Sequence, residues 1–155
     1  MKILIVTVGK VRGPLIESVH EYEKRASRYW KIEFISVAHE SARSVSPEKV
    51  KEAEASRILS KVPLQFELIA LTREGEGITS EGLSEFLEKR LIDALPGIGF
   101  IIGGAFGLGE AVLSRARHHL SLSDMTLPHE MARLVLAEQL YRAGTILRGE
   151  PYHKG

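Results

Sequence analysis

The apolar run at residues 3–8, ILIVTV, constrains the fold more than any other segment of the chain. It is the longest uncharged apolar stretch, and all but one of its residues are β-branched. Apolar side chains at consecutive positions predict a strand buried on both faces, as in a parallel sheet covered by helices. A membrane-spanning helix needs about 20 apolar residues, so a chain whose longest run is this short contains none.

Similar short runs alternate with helical segments along the rest of the chain. The further predicted strands are residues 32–38, 66–71, 99–104 and 119–123. The predicted helices are residues 14–29, 47–61, 79–95, 110–117 and 128–147, and the predicted loops include residues 39–46 and 72–77. Strands separated by helices need crossover connections, which predict a mostly parallel sheet with helices on both faces. Because the sequence shows no internal repeat and no linker, we expect residues 1–155 to form one α/β domain.

The composition excludes several kinds of site. The chain contains no cysteine, which rules out disulfides, thiolate nucleophiles and cysteine-based metal sites. Of the six histidines only His118 and His119 are clustered, and adjacent side chains cannot easily share one ion, so we expect no metal. The amino terminus MKILIVTVGK lacks the long apolar core and cleavage site of a signal peptide, which predicts a cytoplasmic protein.

The charge distribution is uneven although the net charge is only +1. Residues 1–60 hold 11 Lys and Arg against 8 Asp and Glu, residues 61–110 hold 4 against 8, and residues 111–155 hold 6 against 4. Taken whole, the balance gives no electrostatic reason to expect nucleic acid. The segments nevertheless place basic ends around an acidic middle, and on charge alone ordinary surface charge is the favoured interpretation.

The last predicted helix, residues 128–147, is more apolar than packing on a sheet requires. At 100° per residue one apolar stripe contains Ala132, Leu136, Leu140, Ala143 and Leu147. A second set of apolar side chains lies off that stripe, at Met131, Leu134, Val135, Tyr141 and Ile146. This second set predicts a subunit interface. The alternative is a helix buried unusually deeply in its own domain.

The strongest local motif is FIIGGAFGLG, residues 100–109, in which a strand ends in glycines. Open α/β sheets bind ligands at the carboxyl ends of their strands, and glycines let the backbone approach a ligand closely. The spacing GGxxGxG is neither a Walker loop nor the dinucleotide-binding GxGxxG. The alternative is a tight turn without a ligand.

A second motif, SLSDMTLPH at residues 121–129, joins the last strand to the last helix. Ser123 and Thr126 are candidates for capping backbone donors, and Pro128 suits a first helical turn. The N–H groups at a helix N-terminus favour a carboxylate or phosphate, and plain capping is the alternative.

The chain ends in GEPYHKG, where Tyr152, His153 and Lys154 follow the rigid Pro151. A histidine titrates near neutral pH and suits general acid–base catalysis. The alternative is a disordered terminus.

These motifs together resemble a known family. The segments FIIGGAFGLG and LSLSDMTLPHEMARLVLAEQLYRAGTILRGEPYHK are similar to the carboxyl-terminal signature of the ribosomal RNA large subunit methyltransferase H family. The amino terminus and the length are similar as well, so the resemblance covers effectively the whole chain. Members are SPOUT-class enzymes that use S-adenosylmethionine to methylate N3 of a pseudouridine in 23S ribosomal RNA. The resemblance implies an α/β fold with a carboxyl-terminal trefoil knot, a homodimer, and a target in assembled ribosomal particles.

The resemblance also implies a cofactor site at the ends of the third, fourth and fifth strands. Carried over by motif, its residues are Leu71, Thr72, Gly103, Gly104, Leu122, Ser123, Asp124, Met125, Thr126, Leu127 and Pro128. The chain departs from the family where many members have GGPxGL, because Ala105 and Phe106 follow the glycines here. Lys154 stands where some relatives have Arg, so a bidentate contact to phosphate would be lost there.

Candidate catalytic residues follow from the chemistry that the resemblance implies. The N3 position of pseudouridine is an imide N–H, which is a poor nucleophile until its proton leaves, so a general base or a stabiliser of the anionic ring is needed. His153 and Tyr152 are predicted to position or remove that proton. Arg142 is predicted to bind phosphate or stabilise negative charge, with an ordinary i,i+4 pair to Glu138 as the alternative. His129 is a further candidate, or simply caps its helix.

Two other functions remain open at this point. One is a non-enzymatic nucleotide- or phosphate-binding module with a flavodoxin-like sheet. The other is a ribosome-assembly factor that keeps the fold without catalysis, although the intact PYHK tail and glycine turn argue against it.

Overall fold

The computed structural model describes residues 1–43 and 45–155. Its elements, in chain order, are β1 (Lys2–Val8), a 3-10 turn (Gly13–Leu15), α1 (Ile16–Ala26), β2 (Lys31–Val37), α2 (Pro47–Leu59), β3 (Glu67–Gly77), α3 (Ser80–Ile92), β4 (Gly97–Ile102), α4 (Glu110–Arg115), β5 (His118–Ser121) and α5 (His129–Leu147). The predicted alternation of strands and helices is confirmed. No helix in the described part of the chain is both long and apolar enough to cross a bilayer.

The five strands form one parallel sheet in the order β2-β1-β4-β3-β5. A flavodoxin-like sheet has the order 2-1-3-4-5, so β3 and β4 have exchanged places. The flavodoxin-like alternative is therefore wrong, because β4 and not β3 pairs with β1. The exchange places β3 between β4 and β5, so β5 pairs with β3 and not with β4.

Helices cover both faces of the sheet, as the sequence predicts. On one face, α1, α3 and α5 pack on the sheet around Phe100, Leu87 and Leu140, which are fully buried. On the other face, α2 and α4 pack around Ile58 and Val112, which are equally buried. The strands between the two layers are thus apolar on both sides, which explains the continuous run in β1.

Two strand boundaries differ from the prediction. The predicted loop at residues 72–77 belongs to β3, which bulges after Leu71 and pairs again with β5 at Glu76. At the bulge, a Cβ on Gly75 would lie 2.6 Å from the backbone of His119, so only glycine allows this approach. The fourth strand begins at Gly97, which was predicted to lie in the break before it, because Gly97 pairs with Lys2 of β1.

The apolar surplus of α5 is only partly used within the chain. Tyr141 packs edge-on against Tyr29 next to α1, with ring centroids 5.7 Å apart. Met131, Leu134 and Val135 are only half-buried and are not part of either core. The helix is therefore deeper in its own domain than one stripe requires, yet it leaves an apolar face open.

Replacing Gly144 by alanine is expected to lower the free energy of unfolding, although alanine is the better helix former. A Cβ at Gly144 would lie 2.5 Å from Tyr29 Cβ, which is side-chain stem and cannot swing away. Overpacking costs roughly 1–3 kcal/mol, and the propensity gain of about 1 kcal/mol offsets part of it. Urea unfolding at fixed protein concentration measures the change. Gly77→Ala, where a Cβ meets open space, is the matched control and should be near neutral.

Candidate active site

A cavity of about 840 Å³ opens at the carboxyl ends of β4, β3 and β5. Its walls come from the bulge of β3 at residues 71–74, from the segments that follow β4 and β5, and from the start of α5 at His129 and Ala132. Because the strands are parallel neighbours, their last residues meet at one edge of the sheet. The cavity therefore lies where ligands of open α/β sheets bind.

Most of the predicted cofactor residues line this cavity. Those that do are Leu71, Thr72, Gly103, Gly104, Leu122, Ser123, Met125, Thr126, Leu127 and Pro128. Asp124 is exposed and does not line it. His129 does line it, with its ring carbon Cε1 close to Gly9 at the end of β1.

The glycine turn after β4 forms one wall of the cavity. The N–H of Gly107 donates to the carbonyl of Gly104 at 3.1 Å, and Gly107 has a φ of +85°, which favours glycine. A Cβ at Gly103 would lie 3.0 Å from the backbone carbon of Gly107. The turn thus closes on itself so tightly that larger residues at Gly103 would open it.

The opposite wall is held by one hydrogen bond within its own loop and by one to β3. Ser123 Oγ accepts the N–H of Met125 at 2.9 Å, and Thr126 Oγ1 accepts Arg73 Nη1 at 3.3 Å. Ser123 thus caps a backbone donor, as predicted, but neither Ser123 nor Thr126 caps α5, because Pro128 is its N-cap and no side chain bonds to the first turn. The helix N-terminus is left without a side-chain cap beside the cavity.

Thr72 organises the third segment of the wall. Its hydroxyl donates to Glu74 Oε2 at 2.7 Å, and this bond lowers the pKa of the Glu74 carboxyl. Glu74 therefore stays ionised at neutral pH. Leu71, Leu122 and Leu127 supply apolar surface next to these polar groups. A cavity with apolar walls and a few fixed polar groups suits a nucleoside-like ligand.

The carboxyl-terminal tail is docked against α5, so the alternative of a disordered end is wrong. The Tyr152 ring packs on Tyr141 at 4.5 Å between centroids, and its hydroxyl donates to Glu138 Oε1 at 2.9 Å. Arg142 donates to the same carboxylate oxygen through Nη2 at 2.7 Å. The predicted i,i+4 pair of Arg142 and Glu138 thus exists, and it also anchors the tail.

His153 lies between a cation and a carboxylate. Its Nδ1 is 3.1 Å from Arg142 Nη1, and its Nε2 is 2.8 Å from Glu81 Oε1. A guanidinium can only donate, so Nδ1 accepts, and the ring hydrogen is on Nε2 and is donated to Glu81. This bond lowers the pKa of Glu81. The arrangement fixes the tautomer of His153 and presents Nδ1 as its basic atom.

The two neighbouring groups of this cluster keep their protons. Burial raises the pKa of the Tyr152 phenol, and the hydrogen bond to Glu138 raises it further. The bonds to Glu138 also raise the pKa of Arg142, which remains a cation. Tyr152 therefore acts as a donor and Arg142 as a fixed charge, which leaves His153 as the member able to accept a proton.

The tail cluster and the cavity are separate within one chain. Of the described residues, those that line the cavity do not include Arg142, Tyr152 or His153. Arg142 follows the cavity residue Ala132 by ten positions on α5, which is roughly 15 Å along the helix axis. The predicted catalytic trio is thus brought together, but at a distance from the predicted cofactor residues.

Glu81 and Arg73 were not predicted from the sequence. Glu81 meets His153 from 72 residues away, and acids are common in the first turn of a helix, so no local signal distinguishes it. Arg73 lay in a segment predicted as a loop. The described residues contain no group of three or more histidines and carboxylates placed to hold a metal.

Comparison with known proteins agrees with this geometry. Residues 1–153 match the family described as "Predicted SPOUT methyltransferase". In solved structures, the chain is similar to a probable methylase family protein from Haemophilus influenzae, with a TM-score of 0.53 at 15% identity over 99% of this chain and 70% of that one. At that identity the likeness concerns the fold alone.

Curated relatives are much more similar in sequence. A protein of Gemmatimonas aurantiaca named ribosomal RNA large subunit methyltransferase H is 42% identical, covering 99% of this chain and all of the relative. Proteins of the same name from Bacillus pumilus and Listeria monocytogenes are 44% and 43% identical, with the same coverage. The chain therefore belongs to the SPOUT methyltransferases, and within them to the ribosomal RNA large subunit methyltransferase H family.

Proposed function

We propose that this chain, acting as one domain in the cytoplasm, transfers a methyl group from S-adenosylmethionine to N3 of a pseudouridine in 23S ribosomal RNA. The observation that carries the proposal is the cavity at the ends of β4, β3 and β5, which the family's motif residues line. Relatives that align over their full length bear the name of a large-subunit ribosomal RNA methyltransferase.

The cavity fits the cofactor in size and in chemistry. Drug-sized ligands occupy pockets of about 300–1,000 Å³, and 840 Å³ lies within that range. Leu71, Leu122 and Leu127 would hold the apolar part, and the backbone of the Gly103–Gly104 turn would hold polar groups. S-adenosylmethionine supplies a methyl group that its positively charged sulfur already activates. The chain's own task is to hold the acceptor in line and make it nucleophilic, for which no metal is needed.

The tail cluster supplies the proton chemistry. The imide N–H of the substrate takes the place of Arg142 Nη1 at His153 Nδ1, and its proton moves to that nitrogen. Glu81, which accepts the Nε2 hydrogen, stabilises the imidazolium that forms. Arg142, released from Nδ1, faces the negative charge left on the pyrimidine ring. Tyr152 positions Arg142 through their shared acceptor, Glu138.

A second copy of the chain would join the two halves of the site. Met131, Leu134, Val135, Glu138 and Arg142 lie within about 100° of one another around α5, so the open apolar face continues into the tail cluster. A homodimer that packs on this face would carry the His153 cluster to its partner. Because His153 is separated from its own cavity, we propose that it serves the cavity of the partner subunit.

The size of the chain favours a structured substrate. A domain of 155 residues has little surface for reading sequence. Folded RNA is recognised largely by shape and by bases already exposed in loops. We therefore place the reaction on assembled ribosomal particles, with free RNA fragments as poor substrates.

Calorimetry and RNA mass analysis test the proposal together. The protein is titrated with S-adenosylmethionine and then incubated with large ribosomal subunits from cells that lack the methylation. Saturable binding and one added methyl on a pseudouridine of the large-subunit RNA are expected. Absence of binding at high cofactor concentration, or binding without methylated RNA, would refute it.

A further inference from the structure

Two large apolar side chains are exposed at the mouth of the cavity. Phe106 is 44% exposed and Met125 is 76% exposed, and both line the cavity. Exposed apolar side chains grouped beside a cavity, unlike ones scattered singly, are typical of ligand-binding grooves. Phe106 is also the aromatic residue of the glycine turn that follows β4.

Phe106 is displayed by a rigid turn. It precedes Gly107 in the four-residue turn that the hydrogen bond between Gly107 N–H and the Gly104 carbonyl closes. The positive φ of Gly107 holds the turn in a conformation that other residues rarely adopt. The backbone that carries the ring thus needs little further ordering before the ring stacks on a planar group, which lowers the entropic cost of the contact.

The interior of the cavity can hold the apolar part of the cofactor without the rim. Its interior already has apolar walls, at Leu71 and Leu122, that do not involve the rim. The ring of Phe106 at the rim is therefore available to the methyl acceptor, which must reach the same cavity.

The charges at the rim favour stacking over a phosphate contact. Among the described lining residues, Arg73 is the one Lys or Arg, and it donates to Thr126. It also pairs with Glu74, whose carboxylate compensates part of its charge. Stacking on an aromatic ring needs no net charge and accepts any base, because every base has a π face.

We propose that Phe106 stacks on an unstacked nucleobase of the RNA substrate and so positions the acceptor strand at the mouth of the cavity. This inference rests on the proposed function, since it requires an RNA acceptor. Phe106 is a positioning residue for substrate binding, and Met125 borders the same base from the opposite loop.

The test compares Phe106→Ala, Phe106→Leu and Phe106→Tyr on undermethylated large ribosomal subunits with labelled S-adenosylmethionine. Phe106→Ala should raise KM for the particles, and lower kcat/KM about 5- to 150-fold, as expected for losing one stacked base. The Kd for S-adenosylmethionine, measured by calorimetry, should stay within about twofold. Phe106→Tyr should restore KM and Phe106→Leu should not, because leucine has no π face. Leu64→Ala, at another exposed apolar side chain far along the chain, is the control and should match wild type.

Four results would overturn the inference. They are wild-type KM in Phe106→Ala, full rescue by leucine, a cofactor Kd weakened in proportion to kcat/KM, or a dimer that dissociates in sedimentation. The third would assign Phe106 to the cofactor and the fourth to a second copy of the chain. Failure of the proposed function is distinguishable, because the wild-type protein would then methylate no RNA at all.

Discussion

Replacing His153 by alanine is expected to reduce methyl transfer about 10²- to 10⁴-fold, the range typical of a lost general base. The imide proton would then have no acceptor, because Tyr152 keeps its own proton and Arg142 is a cation. The affinity for S-adenosylmethionine should be unchanged, since His153 is proposed to act on the proton of the acceptor and is not among the residues that line the cavity within one chain. Single-turnover methylation of ribosomal particles and calorimetry measure the two effects separately.

If His153 had only a structural role, its removal would lower the thermal stability of the protein together with its activity. The tail keeps its anchor in the variant, because Tyr152 still packs on Tyr141 and donates to Glu138. Thermal unfolding at matched concentration should therefore change little. His20→Ala, at an exposed histidine on α1, is the matched control and should retain full activity. Unchanged turnover in His153→Ala would remove the base assignment.

The sequence predicts the elements of this fold better than their arrangement. Burial on both faces makes the central strands β1 and β4 apolar runs, so these strands and the helices between them can be predicted locally. The exchange of β3 and β4 has no local signal, because pairing partners are set by long-range packing. The bulge at residues 72–77 is similarly hidden, since its polar and glycine residues have the composition of a loop and become strand only against His119 and Leu120 of β5.

The candidate site likewise has a part that local sequence predicts and a part that depends on long-range contacts. Cofactor residues follow strand ends and glycines, which is why most of the predicted set lines one cavity. The contact of Glu81 with His153 joins α3 to the tail, and no sequence feature near either residue predicts it. The separation of the tail from the cavity follows from the length of α5, and it becomes visible only once the helix is known to begin at the cavity.

This separation predicts complementation between two inactive chains. In Gly103→Val, the Cβ would press on the backbone of Gly107 and the glycine turn would open into the cavity, so cofactor binding should be lost. Such a chain still carries an intact His153. The His153→Ala chain has the converse defect, with an intact cavity and no base. Each homodimer should therefore be inactive.

A mixed dimer of the two variants, purified through two different tags, is expected to regain activity. If the tail serves the partner's cavity, the His153→Ala cavity meets the tail of the Gly103→Val chain, which completes one site of two. Methylation of ribosomal particles should then reach roughly half of the wild-type rate per dimer, since closed twofold symmetry provides two equivalent sites.

The reciprocal dimer is the decisive control. It pairs a wild-type chain with a chain that carries both substitutions. If the tail acts on its own chain's cavity, this dimer has one complete site and is active, whereas the first mixed dimer has none. If the tail acts on the partner, the wild-type cavity meets a tail without His153. The wild-type tail then meets a cavity that cannot bind the cofactor because of Gly103→Val. Activity in the first dimer and its absence in the second is the pattern that the distance along α5 predicts, and the reverse pattern would place catalysis within a single chain.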